Sequence, residues 1–454
     1  MKTSPIFLTT TFIICIGCNK KADQLDHHWT TPTRITQSLE GLGGRVALLN
    51  FQSSIIGLQP LNSGMAQCFL LNQDHKSWFE VSLANVPGNH NWTYPLIEES
   101  SGSILFPECL TKGDQLVINI FSTSMGANGE FRVQGQTEWS ADKRAFFLDA
   151  RPNMHLNDPG RPGPVGSGPG VVSGSEIYVP YSVDAKEITY RGKTLFVDGS
   201  NGPFNDGVLH STDSGRTWQI ERIADFQGMS SAVCKSKGYY YYFVTRMVTD
   251  QGFQLWFSRK PDNGSWDAPK VLTKTFANAF GHFVAVSEDD TVHLGWMDRR
   301  HEKKRFNLMY PDRQNWEVVY CQRKDSDTNW SKEIILSKGL LYSYWPSMSV
   351  EGDKIVVAWW GVRTAPDWHS FNDPNDIYYV TSKDGGKNWT EPLKITDGAK
   401  DGITSGEPQT VLLNGVIHLF YTQGKMNLKE ESPGLTKLNQ APWPIYYRQR
   451  PFPN

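Results

Sequence analysis

Ser211-Thr212-Asp213-Ser214-Gly215-Arg216-Thr217-Trp218 and Ser382-Lys383-Asp384-Gly385-Gly386-Lys387-Asn388-Trp389 are one pattern written twice, S-x-D-x-G-x-x-W. The chemistry of each place is legible. Glycine takes the positive φ that a tight hairpin needs. Aspartate holds backbone N–H groups inside the turn. The tryptophan anchors the turn between sheets. Weaker copies pair Asp74 with Trp78, Asp262 with Trp266, Asp325 with Trp330, and Ser140-Ala141-Asp142 with Phe147.

The pattern resembles the Asp-box, or BNR repeat, of the sialidase superfamily. That resemblance implies a β-propeller in which each box joins the third and fourth strands of a blade. The aromatic anchors at 78, 147, 218, 266, 330 and 389 stand on average about 62 residues apart, which suits one four-stranded blade with its loops. Between boxes the same strand order recurs: 283–286, 292–296 and 318–322, then 347–350, 354–360 and 377–382. These are β-branched and aromatic runs bounded by turn residues. A last unit, 409–413, 416–422 and 445–448, has no box. Its outer strand is expected from 33–37, closing the ring. Residues 28–454 hold about seven such units. The expectation is an all-β, seven-bladed propeller over 31–454, or six blades if the first and last units merge.

Composition agrees. The chain has 454 residues, 45 Lys and Arg against 47 Asp and Glu, and 39% hydrophobic residues. That excludes a disordered tail, a collagen and a disulfide-stapled miniprotein. A formal charge of −2 argues against a nucleic-acid partner held by phosphate neutralisation. Forty Gly, 26 Pro and 12% aromatics suit short strands and many turns.

The N-terminus has Lys2 and an apolar run, 6–16, too short to span a bilayer as a mature helix. It is expected to be a secretory signal. The run ends Cys15-Ile16-Gly17-Cys18, which resembles a bacterial lipoprotein signal. The resemblance implies removal of 1–17, a lipid on Cys18, and a tether over 18–30. The chain would be anchored in the bacterial cell envelope, periplasmic or on the surface, without spanning the membrane. Cys68, Cys109, Cys234 and Cys321 show no metal-ligand spacing. They are free thiols or, since an export compartment permits it, disulfides. No cofactor is expected, no metal-ligand set stands out, and the chain is expected to be a monomer.

In a meandering blade the first strand begins, and the second ends, on the face away from the boxes. The long insertions 183–206, 299–316, 364–375 and 424–443 follow second strands, so all fall on that face. The Pro/Gly-rich stretch 151–170 reaches the same rim. Long loops gathered on one rim carry function. The residues lining a central pocket there are His282, Tyr344 and Glu407 at first-strand starts, and Arg246, Asp298, Arg299 and Arg363 at second-strand ends. His301 follows just after. Arginines converging on a funnel suit a carboxylate-bearing sugar, because the guanidinium fork binds carboxylates bidentately. Lys303-Lys304-Arg305 is expected to be a solvated loop.

Three functions fit this pocket, and the overall repeat pattern makes the first of them, a hydrolase, the expectation. The sialidase resemblance implies a glycoside hydrolase on acidic glycans. Arg246, Arg299 and Arg363 would hold the carboxylate, Tyr344 with Glu407 would be the nucleophile, and Asp298 the general acid. That family's early Arg-Ile-Pro is absent, with Arg45 the nearest substitute. The second reading rests on resemblance to seven-bladed ulvan-lyase propellers, which eliminate across C4–C5 of a uronate. A lyase needs a base for the C5 proton and a neutraliser on the carboxylate. His282, His301, Tyr344 and Arg363 match that set in kind. The third reading is a glycan-binding propeller without turnover. In all three the partner is an acidic oligo- or polysaccharide. His293 alternates with Val292 and Leu294 and is expected to be structural. A Cys18→Ser chain should lose metabolic labelling by fatty acid and move from the membrane to the soluble fraction; retention of both would remove the lipoprotein expectation.

Overall fold

The computed structural model describes 25–35, the strand segments between 47 and 142, and most of 154–453 except stretches including 197–203, 224–228, 274–277, 301–315, 364–373 and 426–443. The apolar runs become antiparallel sheets in chain order. Blade 1 is Ala47–Phe51, Ser54–Pro60, Met65–Leu71 and Trp78–Pro87, and blade 2 is Leu96–Glu98, Ser103–Lys112, Gln115–Met125 and Phe131–Asp142. Blade 3 has an inner strand split into Val165–Gly166 and Val171–Ser173, then Glu176–Asp184, Phe204–Ser211 and Gln219–Glu221. Blade 4 is Met229–Lys235, Tyr239–Val248, Gly252–Pro261 and Lys270–Val271. Blade 5 is Phe280–Val286, Thr291–Asp298, Glu317–Lys324 and Ile334–Ile335. Blade 6 is Tyr342–Glu351, Lys354–Val362, Asp376–Ser382 and Leu393–Lys394. Blade 7 is Ile403–Leu413, Val416–Lys425, Ile445–Pro451 and, from the other end of the chain, Thr33–Arg34.

Seven blades are thus present among the described residues. Inner strands of successive blades pack on one another from blade 2 through blade 7 and on to blade 1, and the outer strands of blades 1 and 2 touch. A three-stranded side sheet is formed by Met154–Asn157, which precedes blade 3, and by Glu187–Tyr190 and Lys193–Phe196 of the insertion between that blade's second and third strands.

Alternation explains the packing. Along the second strand of blade 4, Tyr240, Tyr242 and Val244 pack against blade 3, while Tyr241 and Phe243 pack against blade 5. Both faces are covered, so such strands are buried throughout, as Thr291–Asp298 is, and its polar His293 and Asp298 are hydrogen-bonded.

The two full boxes close with the same bonds. The Gly215 N–H donates to Ser211 Oγ at 2.8 Å, and the Gly386 N–H to Ser382 Oγ at 2.9 Å. Asp213 and Asp384 accept from the N–H groups of Thr217 and Asn388 at 2.8 and 2.9 Å. Each Trp indole N–H reaches a Gly carbonyl at 3.0 Å. Gly386 sits at φ 83° with no room for a side chain, since a Cβ would lie 2.1 Å from the Tyr320 hydroxyl. Asp262–Trp266 and Asp325–Trp330 occupy the same third-to-fourth junction. The copy at Ser140-Ala141-Asp142 is a misreading. Those residues end the outer strand of blade 2, paired with 115–117, and Phe147 lies outside the described residues. Asp325 is diverted too: it accepts from Ser236 and Tyr241 of blade 4 at 2.6 and 3.0 Å and ties two blades together. His293 is structural: it is buried, with Nδ1 2.6 Å from the Tyr320 hydroxyl and Nε2 3.1 Å from Ser287 Oγ. His418 repeats this with Tyr447 in blade 7, at 2.7 Å. Cys234 and Cys321 are free thiols. Cys18 lies outside the described residues.

The tether expected over 18–30 ends earlier than 30, because residues from 25 onward join the fold. Thr33 and Arg34 pair with Tyr447 and Tyr446, as the closing strand should. Ahead of it, Leu25 bridges to Lys394 and Trp29 is buried against the Tyr379 ring. Asp26 is 6% exposed and is bound by Arg450, Tyr379 and His28. Burial pushes the Asp26 carboxyl up, but hydrogen bonds from Tyr379 and His28 and the Arg450 charge outweigh it and hold it below its usual value. Asp26→Ala leaves Arg450 buried without its partner and should cost ~3–5 kcal/mol, read as a lowered unfolding temperature. The wild-type contribution is complete above the ordinary carboxylate pKa and is lost as pH falls through the lowered one. Asp26→Asn should flatten that acid loss; an unchanged profile would show that the clip does not carry the closure.

Candidate functional site

Four consecutive inner strands carry a register shift at one place. It falls between Met229 and Ala232, Phe280 and Phe283, Tyr344 and Ser347, and Gly406 and Gln409. Each is a β-bulge, the device that re-aims a side chain near the end of a strand. In blades 5, 6 and 7 one bulge residue has a left-handed backbone: Gly281 at φ 58°, Trp345 at 45° and Glu407 at 49°. For Trp345 and Glu407 that conformation costs about 1–3 kcal/mol and persists only where the surroundings impose it. Such strain gathers at functional sites. His282, Tyr344 and Glu407 therefore stand at or beside three equivalent bulges.

The bulges of blades 5 and 6 touch. A Cβ on Gly281 would lie 3.3 Å from the Trp345 ring, so glycine makes room for that indole. Phe280 meets the same ring edge-on at 5.4 Å. Trp345 then packs on Tyr344 at 5.2 Å, and Tyr344 packs on Trp316 at 5.5 Å. Tyr342 stacks beneath Tyr344 at 5.3 Å, with Trp360 edge-on at 5.4 Å from Tyr344. The Arg299 guanidinium, 1% exposed, lies 5.4 Å over the Trp316 ring. A continuous contact path thus joins the His282 bulge, Trp345, Tyr344, Trp316 and Arg299.

His282 is half-buried, and its Nδ1 is buried with no hydrogen-bond partner among the described residues. Its ring lies 6.3 Å from Phe243. Burial pulls its pKa down from 6.5 to about 4, so the imidazole is neutral at neutral pH. Burial first, then the neighbouring Tyr344 and Glu407, push the Tyr342 phenol well above its usual value. Glu407 of blade 7 therefore belongs to the same electrostatic neighbourhood.

The other expected residues divide by strand parity. Asp298 and Trp296 share the face of their strand that meets blade 4, whereas Arg299 follows Met297 on the face toward blade 6. Asp298 is fully buried, and its oxygens accept from the Trp296 indole at 2.9 Å and from Arg300 Nε at 2.8 and 3.0 Å. Arg300 also pairs with Glu333. Asp298 is thus an ion-pair anchor beneath the rim, held away from Tyr344. Arg246 continues the face of Tyr242 and Val244 and stacks 5.4 Å over Trp256, on the side toward blade 3. Arg363 follows the last residue of blade 6's second strand and is half-buried. His301, the 303–305 loop and the tips of the other insertions lie outside the described residues. Among the described residues no group of three His, Cys, Asp or Glu could hold a metal ion. Trp316, Trp345, Tyr342 and Trp360 were not anticipated. The signal was available in Trp345-Pro346 and Glu407-Pro408, a repeated residue-Pro step at one place of successive blades.

No family model matches this chain, and no curated protein does. Solved structures do. An ulvan lyase of a polysaccharide lyase family, bound to a glucuronate and sulfated rhamnose oligosaccharide, is similar at TM-score 0.50 and 10% identity, covering 88% of this chain and 98% of that one. The polysaccharide lyase Uly1 is similar at TM-score 0.50 and 9% identity, covering 90% of each chain. The NanB sialidase of Streptococcus pneumoniae is similar at TM-score 0.40 and 10% identity, covering 94% and 71%. These are carbohydrate-active enzymes, and at such identity the likeness is one of fold.

The lowered His282 pKa has a stability consequence. The unfolded chain binds the extra proton between pH 6.5 and about 4, so the contribution of neutral His282 is full above 6.5 and is lost as pH falls toward 4. His282→Gln should flatten that part of an acid-unfolding curve followed by tryptophan fluorescence. A curve superimposable on wild type would show that the ring titrates as if in water.

Proposed function

We propose that this protein is a carbohydrate-active enzyme that cleaves uronate-bearing polysaccharide by β-elimination. The observation that carries the reading is the contact between the bulges of blades 5 and 6, which brings Phe280 and Gly281, the residues just before neutral His282, against Trp345, with Tyr344, Trp316 and Arg299 following in contact. In this mechanism Arg363 binds the uronate carboxylate, and the buried Arg299 charge backs it from behind Trp316. Their charge stabilises the enolate-like anion that develops when C5 loses its proton. The His282 imidazole takes that proton, and the Tyr344 hydroxyl gives one to the departing oxygen on C4. The C4–O bond breaks, C4=C5 forms, and no water is consumed. Trp345 and Trp316 supply apolar walls for the sugar rings. His301 remains a second base candidate. The lyases of similar fold, one of them bound to a glucuronate-containing oligosaccharide, are consistent with this chemistry.

A sialidase-like hydrolase is the second reading. What favours it is Glu407 in the neighbourhood of Tyr342 and Tyr344. Against it, Asp298 and Arg246 are engaged elsewhere. A glycan-binding propeller would keep the arginines and aromatics and show no turnover. In each case a lipid on Cys18 would hold the protein at the cell envelope, where a long polymer is met.

Tyr344→Phe should lower turnover on a uronate polymer by about 10²–10⁴-fold and leave the unfolding temperature unchanged. Arg363→Ala should do the same through lost carboxylate binding. The assay records reducing ends together with ultraviolet absorbance of an unsaturated uronate. Both signals rising together supports elimination. Reducing ends alone would move the assignment to hydrolysis, and full turnover in both variants would refute the pocket.

A further inference from the structure

A second site lies between blades 4 and 5, at their outer strands. A groove of about 790 Å³ opens there, and its lining holds five arginines and lysines against two carboxylates. Arg300, at one end, is neutralised by Asp298 and Glu333. The remaining cations are less well matched. Arg323 is buried and donates to the Asp327 backbone oxygen at 3.2 and 2.8 Å, with no carboxylate in that bond. Burial and the neighbouring Arg259 charge both push the Arg323 guanidinium down, which shows two like charges side by side. Arg259 stacks 4.6 Å over Tyr239 and has Asp267 3.5 Å from Nε, while its Nη1 is buried without an acceptor among the described residues. Lys270 and Lys332 are exposed at the mouth.

Trp330 adds an independent sign. In the two full boxes the indole N–H donates to a glycine carbonyl. The turn from Asp325 to Trp330 has no glycine, and the Trp330 N–H is buried with no partner among the described residues. Trp330 lines the groove with Arg259 and Arg323. A buried donor without an acceptor costs free energy until one arrives, and charged donors bind anionic oxygens most strongly.

We propose that this groove is a second, non-catalytic binding site for a sulfate- or carboxylate-bearing stretch of polysaccharide. It rests on the reading of the protein as one that acts on acidic glycans. Its lining runs from the Asp325–Trp330 turn to Arg300, so it is separate from the candidate active site at the inner strands. Occupancy by a polymer would hold the protein on its substrate between cleavages.

The test is calorimetric binding of a long sulfated glucuronate polysaccharide to wild type, Arg259→Gln and the double variant Lys270→Glu/Lys332→Glu. Turnover of a short uronate oligosaccharide is measured alongside. Both variants should bind the polymer about tenfold more weakly, with a shallower salt dependence, and cleave the short substrate as wild type does. The double variant changes exposed residues only, so it reports even if Arg259→Gln misfolds. Wild-type polymer affinity in both variants would overturn the groove, as would no polymer binding by wild type at low salt. Groove-dependent binding without cleavage of any uronate would leave the groove standing and remove the elimination reading. Cleavage with unaltered polymer affinity would do the reverse.

Discussion

The joint between the two ends of the chain is the constraint on which the rest depends. The described core runs unbroken between blades 3 to 7, so such a blade cannot sit at an open edge without exposing an apolar face. Thr33 and Arg34 supply the outer strand of blade 7, more than four hundred residues from the strand they pair with. The Asp26–Arg450–Tyr379 cluster and the burial of Trp29 lock that strand in place from outside. A buried charge cluster is costly to assemble and costly to break from one side. Here it sits where breakage would open the circle, so the energy is concentrated at the point of greatest leverage.

The two faces of the ring are built by different means. On the box face, turns are closed by bonds between residues at most four apart, such as Asp384 to Asn388. They can form before any neighbouring blade exists. On the opposite face, the inner strands of blades 4 to 7 are bulged, and three of them hold a left-handed residue there. At the blade 5 bulge, Gly281 leaves space both for Met297 of its own blade and for Trp345 of blade 6. Stability is thus supplied locally on one face, and strain is tolerated on the other, where the candidate chemistry lies.

Degeneration of the boxes also follows a physical logic. In the two full boxes the tryptophan N–H is satisfied inside its own turn, whereas in blade 4, where Gly264 is kept, the Trp266 N–H donates to Glu221 of blade 3 at 2.7 Å. In blade 5 the glycine is gone, Asp325 reaches across to blade 4, and Trp330 turns its ring onto Phe257 at 5.5 Å. The turn has exchanged internal bonds for contacts with the next blade. The same exchange leaves polar donors along the seam between these two blades.

Much of this architecture was legible in the sequence. The two full boxes, the strand order of blades 5 to 7, the closing strand near Thr33 and the structural role of His293 all come from short-range patterns, because hairpin turns and strand alternation are set by residues a few places apart. The same locality explains the errors. Ser140-Ala141-Asp142 has the letters of a turn but lies in a strand, since pairing with 115–117 outweighs local propensity. Asp26 and Trp29 look like a polar linker until Tyr379 and Arg450, distant in sequence, surround them. The candidate site was legible as a set of residue types at strand ends, not as an arrangement. Asp298 and Arg299 are adjacent in sequence and face different blades, so which of them meets Tyr344 depends on parity and on the neighbouring sheet. Tyr344, His282 and Glu407 owe their positions to bulges, which are set by the pairing register of each blade's inner strand and re-aim the side chains there. Turn chemistry and the strand repeat are short-range properties and belong to the sequence; the choice of seven blades over six and the direction of a side chain at the rim are properties of the closed ring.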